Sequence, residues 1–185
     1  MDGLLIKSDK RYTYDDYLKL NDGHNYEVIG GNLIMEPRPR PYHQKIVGVL
    51  DHLLRTFLQD DFRGEVYLDV DVVFGTQVAS PDIVFVARDR LCIVGELNIK
   101  GAPDLVIEVL SPSTRSYDRR VKGQLFFENG VKEYWLVDPA QFSVEILSPG
   151  DGAWKRFGLY GKGDAVSSPL LSGLEVMVKD IFGLV

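Results

Sequence analysis

Two carboxylates interrupt apolar runs that otherwise read as buried strands. Asp82 opens the run Ile83-Val84-Phe85-Val86, and Glu108 stands inside Leu105-Val106-Ile107-Glu108-Val109-Leu110. An ionised carboxylate buried in such a strand costs several kcal/mol, comparable with the whole margin of stability, unless a cation or several hydrogen bonds compensate. The sequence therefore points to a cation. Lys122 follows on the next helical stretch, and the order Asp82, Glu108, Lys122 suits a divalent-metal site.

Length and composition bound the rest. A chain of 185 residues fits one domain, residues 1–185, with a sizeable core. Hydrophobic content of 45% beside charged content of 26% is ordinary for a globular chain and argues against disorder. No stretch approaches the roughly 20 apolar residues that span a bilayer, so no membrane partner is expected. The start, Met1-Asp2-Gly3-Leu4-Leu5-Ile6-Lys7, has neither a basic region nor a long apolar one, so no secretory signal is expected and a cytoplasmic setting follows. The lone Cys92 agrees with that setting and reads as a small buried hydrophobe. A net charge of −6 argues against a protein that coats nucleic acid electrostatically. Basic residues still flank the acids in sequence: Arg38, Arg40, Lys45, Arg115 and Arg119 are candidate nucleic-acid contacts, or scattered surface cations.

Along the chain, Thr13 with Asp16 three residues later predicts a capped short helix. Tyr26 to Ile29 and Asn32 to Met35 flank Gly30-Gly31 and predict a β-hairpin. Pro37, Pro39 and Pro41 impose an extended linker. Ile46, Val47, Leu50, Leu53, Leu54, Phe57 and Leu58 recur at helical spacing from Tyr42 to about Gln59. Val66, Leu68, Val70, Val72 and Phe74 alternate as in one half-buried strand. Residues from about Arg115 to Glu128 read as a helix ended by Asn129-Gly130. Glu133 to Asp138 and Phe142 to Leu147 read as paired strands, with a further strand near Trp154 to Tyr160 and a short end segment, Val178 to Phe182.

Phosphodiester hydrolysis needs an attacking water held in line and a sink for charge growing on the phosphorus oxygens, both of which Mg²⁺ provides. Hard cations take oxygen ligands and retain waters, so Asp82, Glu108 and the backbone carbonyl of Val109 suffice if the two strands are neighbours. Lys122 is placed to orient the water or meet the developing charge. Simpler readings exist for each residue: a turn acid after Pro81 for Asp82, a buried partner of an arginine such as Arg115 for Glu108, and a surface ion pair with Asp118 worth about 0.3–0.5 kcal/mol for Lys122. Asp104, at the strand entrance after Pro103, reads as a capping or solvated acid, and Asp138, before Pro139, as a turn residue.

The ordered motifs Tyr26-Glu27-x-x-x-Gly31, His43-Gln44, Ser80-Pro81-Asp82, Asp104 to Ser113, Asp118-x-x-x-Lys122 and Gly130-Val131-x-Glu133-Tyr134-Trp135-Leu136-Val137-Asp138-Pro139 resemble the Uma-two family of restriction endonucleases, within the PD-(D/E)XK nuclease superfamily. The resemblance covers about residues 14–147. It implies an α/β, restriction-endonuclease-like fold: a central mixed β-sheet flanked by helices, with an N-terminal hairpin and C-terminal β additions. It also implies a DNA endonuclease dependent on Mg²⁺ or Mn²⁺ that uses metal-activated water. One departure stands out: the superfamily lysine belongs two residues after the second acid, where this chain has Leu110, and Lys122 on the following helix matches its place in the Uma-two pattern. By the same resemblance His43 faces the site, to bind phosphate or hold a water, and Glu27 adds a further acid. Cutting both strands of a duplex favours a homodimer. The alternative is a catalytically inactive nuclease-fold module that binds nucleic acid or protein.

Overall fold

In the computed structural model, which describes residues 5–6 and 8–183, most of the N-terminal heptapeptide lies outside the described residues. The chain runs through α1 (Tyr14–Tyr17), β1 (Tyr26–Ile29), β2 (Asn32–Met35), α2 (Pro41–Leu58), β3 (Gly64–Leu68), β4 (Val72–Phe74), β5 (Gln77–Ala79) and β6 (Ile83–Ala87). A 3-10 helix (Arg88–Ile93), β7 (Ile99–Lys100) and β8 (Leu105–Val109) follow. Next comes a helical segment in three parts: α3 (Arg115–Tyr117), a π-turn (Asp118–Lys122) and α4 (Gly123–Glu128). The chain closes with β9 (Glu133–Asp138), β10 (Ser143–Pro149), β11 (Trp154–Tyr160), β12 (Ala165–Ser167), β13 (Glu175–Met177) and α5 (Val178–Phe182).

The acid-bearing runs are apolar at nearly every position because their sheet is covered on both faces. The six strands lie in the order β11-β10-β9-β8-β6-β3, parallel between β8 and β9 and antiparallel elsewhere. Ile83, Phe85, Leu105 and Ile107 point to one face, where Ile46, Leu50 and Leu54 of α2 and Ile181 and Phe182 of α5 cover them. Val84, Val86 and Val106 point to the other, against Tyr117, Leu125 and Phe126 of the helical segment and Ile29, Ile34, Val72 and Phe74 of a second sheet. That second sheet has the order β2-β1-β5-β4-β7. It was not anticipated beyond its hairpin, whose turn places Gly30 and Gly31 at φ 59° and 78°, as paired glycines permit. Thr13 and Asp16 cap α1 reciprocally, as expected.

Three expectations need correction. The single alternating strand through Val66 to Phe74 is two strands in different sheets. Asp69, at φ 49°, turns the chain, and its N–H donates to the Asp82 carbonyl. Cys92 is exposed, because it lies on the outer side of the short 3-10 helix. Asp104 neither caps nor faces solvent: it is fully buried between Arg90, Lys132 and the Ala87 N–H. Tyr134 and Trp135 are core residues, in keeping with their apolar setting.

Where β3 meets β6, Gly64 pairs with Ala87. A Cβ at Gly64 would lie 2.2 Å from the Val86 carbonyl oxygen and 2.7 Å from the Phe85 ring. Gly64→Ala is therefore expected to lower stability by about 1–3 kcal/mol, as overpacking does. A urea unfolding midpoint equal to wild type would show that β3 moves aside without strain.

Candidate active site

The register that pairs Ile83 with Ile107 puts Asp82 and Glu108 at the next opposed position of adjacent strands, on one face. The two acids are thus neighbours by construction. Asp82 is fixed at both oxygens: Oδ2 accepts the Val109 N–H at 2.7 Å, and Oδ1 lies 2.9 Å from Nε2 of His43 at the start of α2. The Asp82 side chain keeps 21% of its surface exposed, whereas that of Glu108 keeps 5%. Asp82 therefore forms the open side of the site and Glu108 its floor.

Lys122 closes the π-turn, a widened helical turn of a kind often found at functional sites. The turn directs both Asp118 and Lys122 inward, where each is buried, so the surface ion pair does not form. The ammonium lies 2.6 Å from Glu108 Oε1 and 3.0 Å from Glu27 Oε1, and it donates to the Ser80 carbonyl at 3.3 Å. Glu27 is saturated. Its Oε1 also accepts the Ser80 N–H at 2.8 Å, and its Oε2 accepts the Tyr117 hydroxyl at 2.5 Å. Glu108 Oε1 is less well served: the lysine contacts it off the hydrogen-bonding direction, leaving this buried oxygen without a well-aligned donor.

Acid outweighs base here. Burial pushes the Glu108 carboxyl well above its usual range, with Lys122 opposing and Asp82 adding to the shift. Burial raises Asp118 to about 6 and, with Glu27 beside it, the half-buried Glu36 to about 9. Lys122 itself stays an ammonium: burial would lower it, but Glu108 and Glu27 outweigh that and drive it upward. Burial also lowers His43, and the hydrogen bond and charge of Asp82 more than restore it, for a net rise.

Among the described residues no three His, Cys, Asp or Glu side chains stand together as a ready-made metal cage. The donors nonetheless fit a hard cation: two opposed carboxylates, one with a poorly served buried oxygen, in a volume with more acid than its single lysine offsets.

The structure thus brings together Asp82, Glu108, Lys122, Glu27 and His43, with Val109 against Asp82. The basic residues are not gathered. Arg38 and Arg40 are exposed on the linker before α2. Arg115 is bound to Asp138, whose other oxygen also accepts the Ala140 N–H of a turn, and Arg119 is bound to Glu145 at 2.5 Å. Lys45 lies beside Gly183, after α5. Glu108 has Lys122, not Arg115, as its partner. Tyr117 and Ser80 were missed as members of the network. Ser80 sits in the motif before Asp82, which was a usable signal, whereas Tyr117 reads from sequence as an ordinary core aromatic.

A mixed sheet with helices on both faces, carrying opposed acids on adjacent strands, defines the restriction-endonuclease-like class of fold. The Uma2 family, described as "Putative restriction endonuclease", matches residues 13–179, and the chain belongs to that family. It is similar to the crystal structure of "a putative nuclease belonging to DUF820" from Anabaena variabilis, at 25% identity and a TM-score of 0.79, over 92% of this chain and 97% of that one. No curated protein matches the chain. No helix among the described residues is long and apolar enough to cross a membrane.

Proposed function

We infer that the chain is a DNA endonuclease that hydrolyses phosphodiester bonds with a divalent cation at Asp82 and Glu108. The observation that supports this reading is the opposition of the two acids, one pinned and partly open, the other buried with a poorly served oxygen. Asp82, Glu108 and the Val109 carbonyl would hold Mg²⁺ or Mn²⁺, whose charge would ease deprotonation of the attacking water and offset charge on the scissile phosphate. The Val109 N–H and His43 fix the orientation of Asp82. Lys122 brings a positive charge to the phosphate, and Glu27 holds it in place. Arg38 and Arg40, free of ion pairs among the described residues and close in sequence to His43, are suited to backbone phosphates, with Arg115, Arg119 and Lys45 contributing farther out. A homodimer would let two sites cut both strands, and the cytoplasm is the proposed setting.

A second reading, a nuclease-fold module that binds without cutting, draws on the engagement of both Asp82 oxygens and the saturation of Glu27. End-labelled duplex DNA, single-stranded DNA and RNA, each incubated with Mg²⁺ and either wild type or Asp82→Asn, separate the two. Cleavage of duplex DNA by wild type, lost in the variant, supports the endonuclease. Retention of DNA without cleavage by either protein favours the binding module.

A further inference from the structure

The centre of the site is filled by a side chain. Lys122 is buried against three oxygens: it donates to the Ser80 carbonyl and lies at ion-pair distance from Glu108 Oε1 and Glu27 Oε1. The acceptors differ in how firmly they are held. Glu27 has each oxygen hydrogen-bonded, one by the Ser80 N–H and the other by the Tyr117 hydroxyl, so it is a fixed berth and has little to offer an entering ion. Glu108 Oε1 has the lysine alone, off the hydrogen-bonding direction, and Glu108 stands opposite Asp82 in the strand register.

The geometry points to Lys122 as a competitor of the divalent cation for Glu108. This rests on the metal reading above and adds a role for Glu27 and Tyr117. Lys122 would give up Glu108 to a cation bound beside Asp82. The ammonium would retain Glu27 and the Ser80 carbonyl, keeping its charge within the site. Tyr117 and Glu27 are thus positioning residues acting through Lys122, and the lysine tunes metal affinity as well as chemistry.

The test is a calorimetric titration of Mn²⁺ into wild type, Lys122→Met, Glu108→Gln and a surface control, Lys155→Met. The expected result is binding at least about tenfold tighter in Lys122→Met, within about twofold of wild type in Lys155→Met, and lost in Glu108→Gln. Equal affinity in wild type and Lys122→Met overturns the competition while leaving the metal site standing. No binding by either overturns the metal reading, and this one with it. Should Lys122→Met not fold, wild type labelled with 15N-lysine gives the answer: the Lys122 ammonium resonance shifts on saturation with Mg²⁺, and a resonance that stays in place at calorimetric saturation overturns the proposal.

Discussion

Glu108→Gln is expected to reduce phosphodiester cleavage about a thousandfold with the fold intact. A thousandfold is about 4 kcal/mol of barrier, within the several kcal/mol that a bound cation supplies to a charged transition state. The substitution keeps shape and removes charge. Stability is expected to hold for two reasons found in the site. Burial already pushes the Glu108 carboxyl upward, so a neutral amide suits that position. Lys122 also keeps Glu27 and the Ser80 carbonyl as partners. Single-turnover cleavage of duplex DNA beside a thermal unfolding curve reads both effects. Cleavage within tenfold of wild type would remove Glu108 from the reaction, and a collapse of the melting temperature would make it a structural residue instead.

The largest effect on stability is expected at Asp104. Its carboxylate is fully buried and holds three donors: the Ala87 N–H at 2.8 Å, Arg90 at 2.9 Å and Lys132 at 2.7 Å. Its own carbonyl accepts the N–H groups of Lys132 and Glu133 where β9 begins. The residue therefore joins the end of β6, the entry to β8 and the entry to β9. Asp104→Ala leaves the Ala87 N–H unpaired and two cations beside an empty space, at a cost of about 3 kcal/mol, the low end for a broken buried pair because Lys132 is half exposed. Burial raises the Asp104 carboxyl, and Lys132, the Ala87 N–H and Arg90 together outweigh that, for a net lowering. Its contribution is thus fully present above the unfolded value of about 3.9 and is lost as pH falls through the lower folded value. Urea unfolding from pH 7 down to pH 3 should show the acid-side loss of stability in wild type and a shallower one in Asp104→Ala. Equal slopes would show that other carboxylates govern the acid limb.

Much of this was legible because polar residues in apolar surroundings are conspicuous. Asp82 and Glu108 stand out for that reason, whereas Lys122, set among Arg119, Arg120 and Gln124, was picked out by its place on the following helix and by the family resemblance; the paired glycines and the Thr13–Asp16 cap carry their geometry in their chemistry. Two kinds of feature were not legible. Strands of two or three residues, such as β4, β5 and β7, are too short to show a period, so the second sheet did not emerge from the pattern. The alternation also runs unbroken from Val66 to Phe74, although the chain changes sheets at Asp69, because a left-handed backbone at one residue leaves no mark on hydrophobicity. Within the site, Glu27 lies on a hairpin where glutamates are usually solvated. Its complete burial comes from Tyr117, Ser80 and Lys122, which converge on it from elements distant in sequence. The same holds for Asp104, whose partners Arg90 and Lys132 meet only in the folded chain.

We infer that opposed Asp82 and Glu108 make this fold a cation-dependent phosphodiesterase. Incubation of supercoiled plasmid with purified wild type and Asp82→Ala, in parallel with Mg²⁺, Mn²⁺ or EDTA, tests it most directly. The account predicts nicked or linear product from wild type with either metal, none with EDTA, and none from Asp82→Ala. Cleavage that persists in EDTA or in the variant would contradict it.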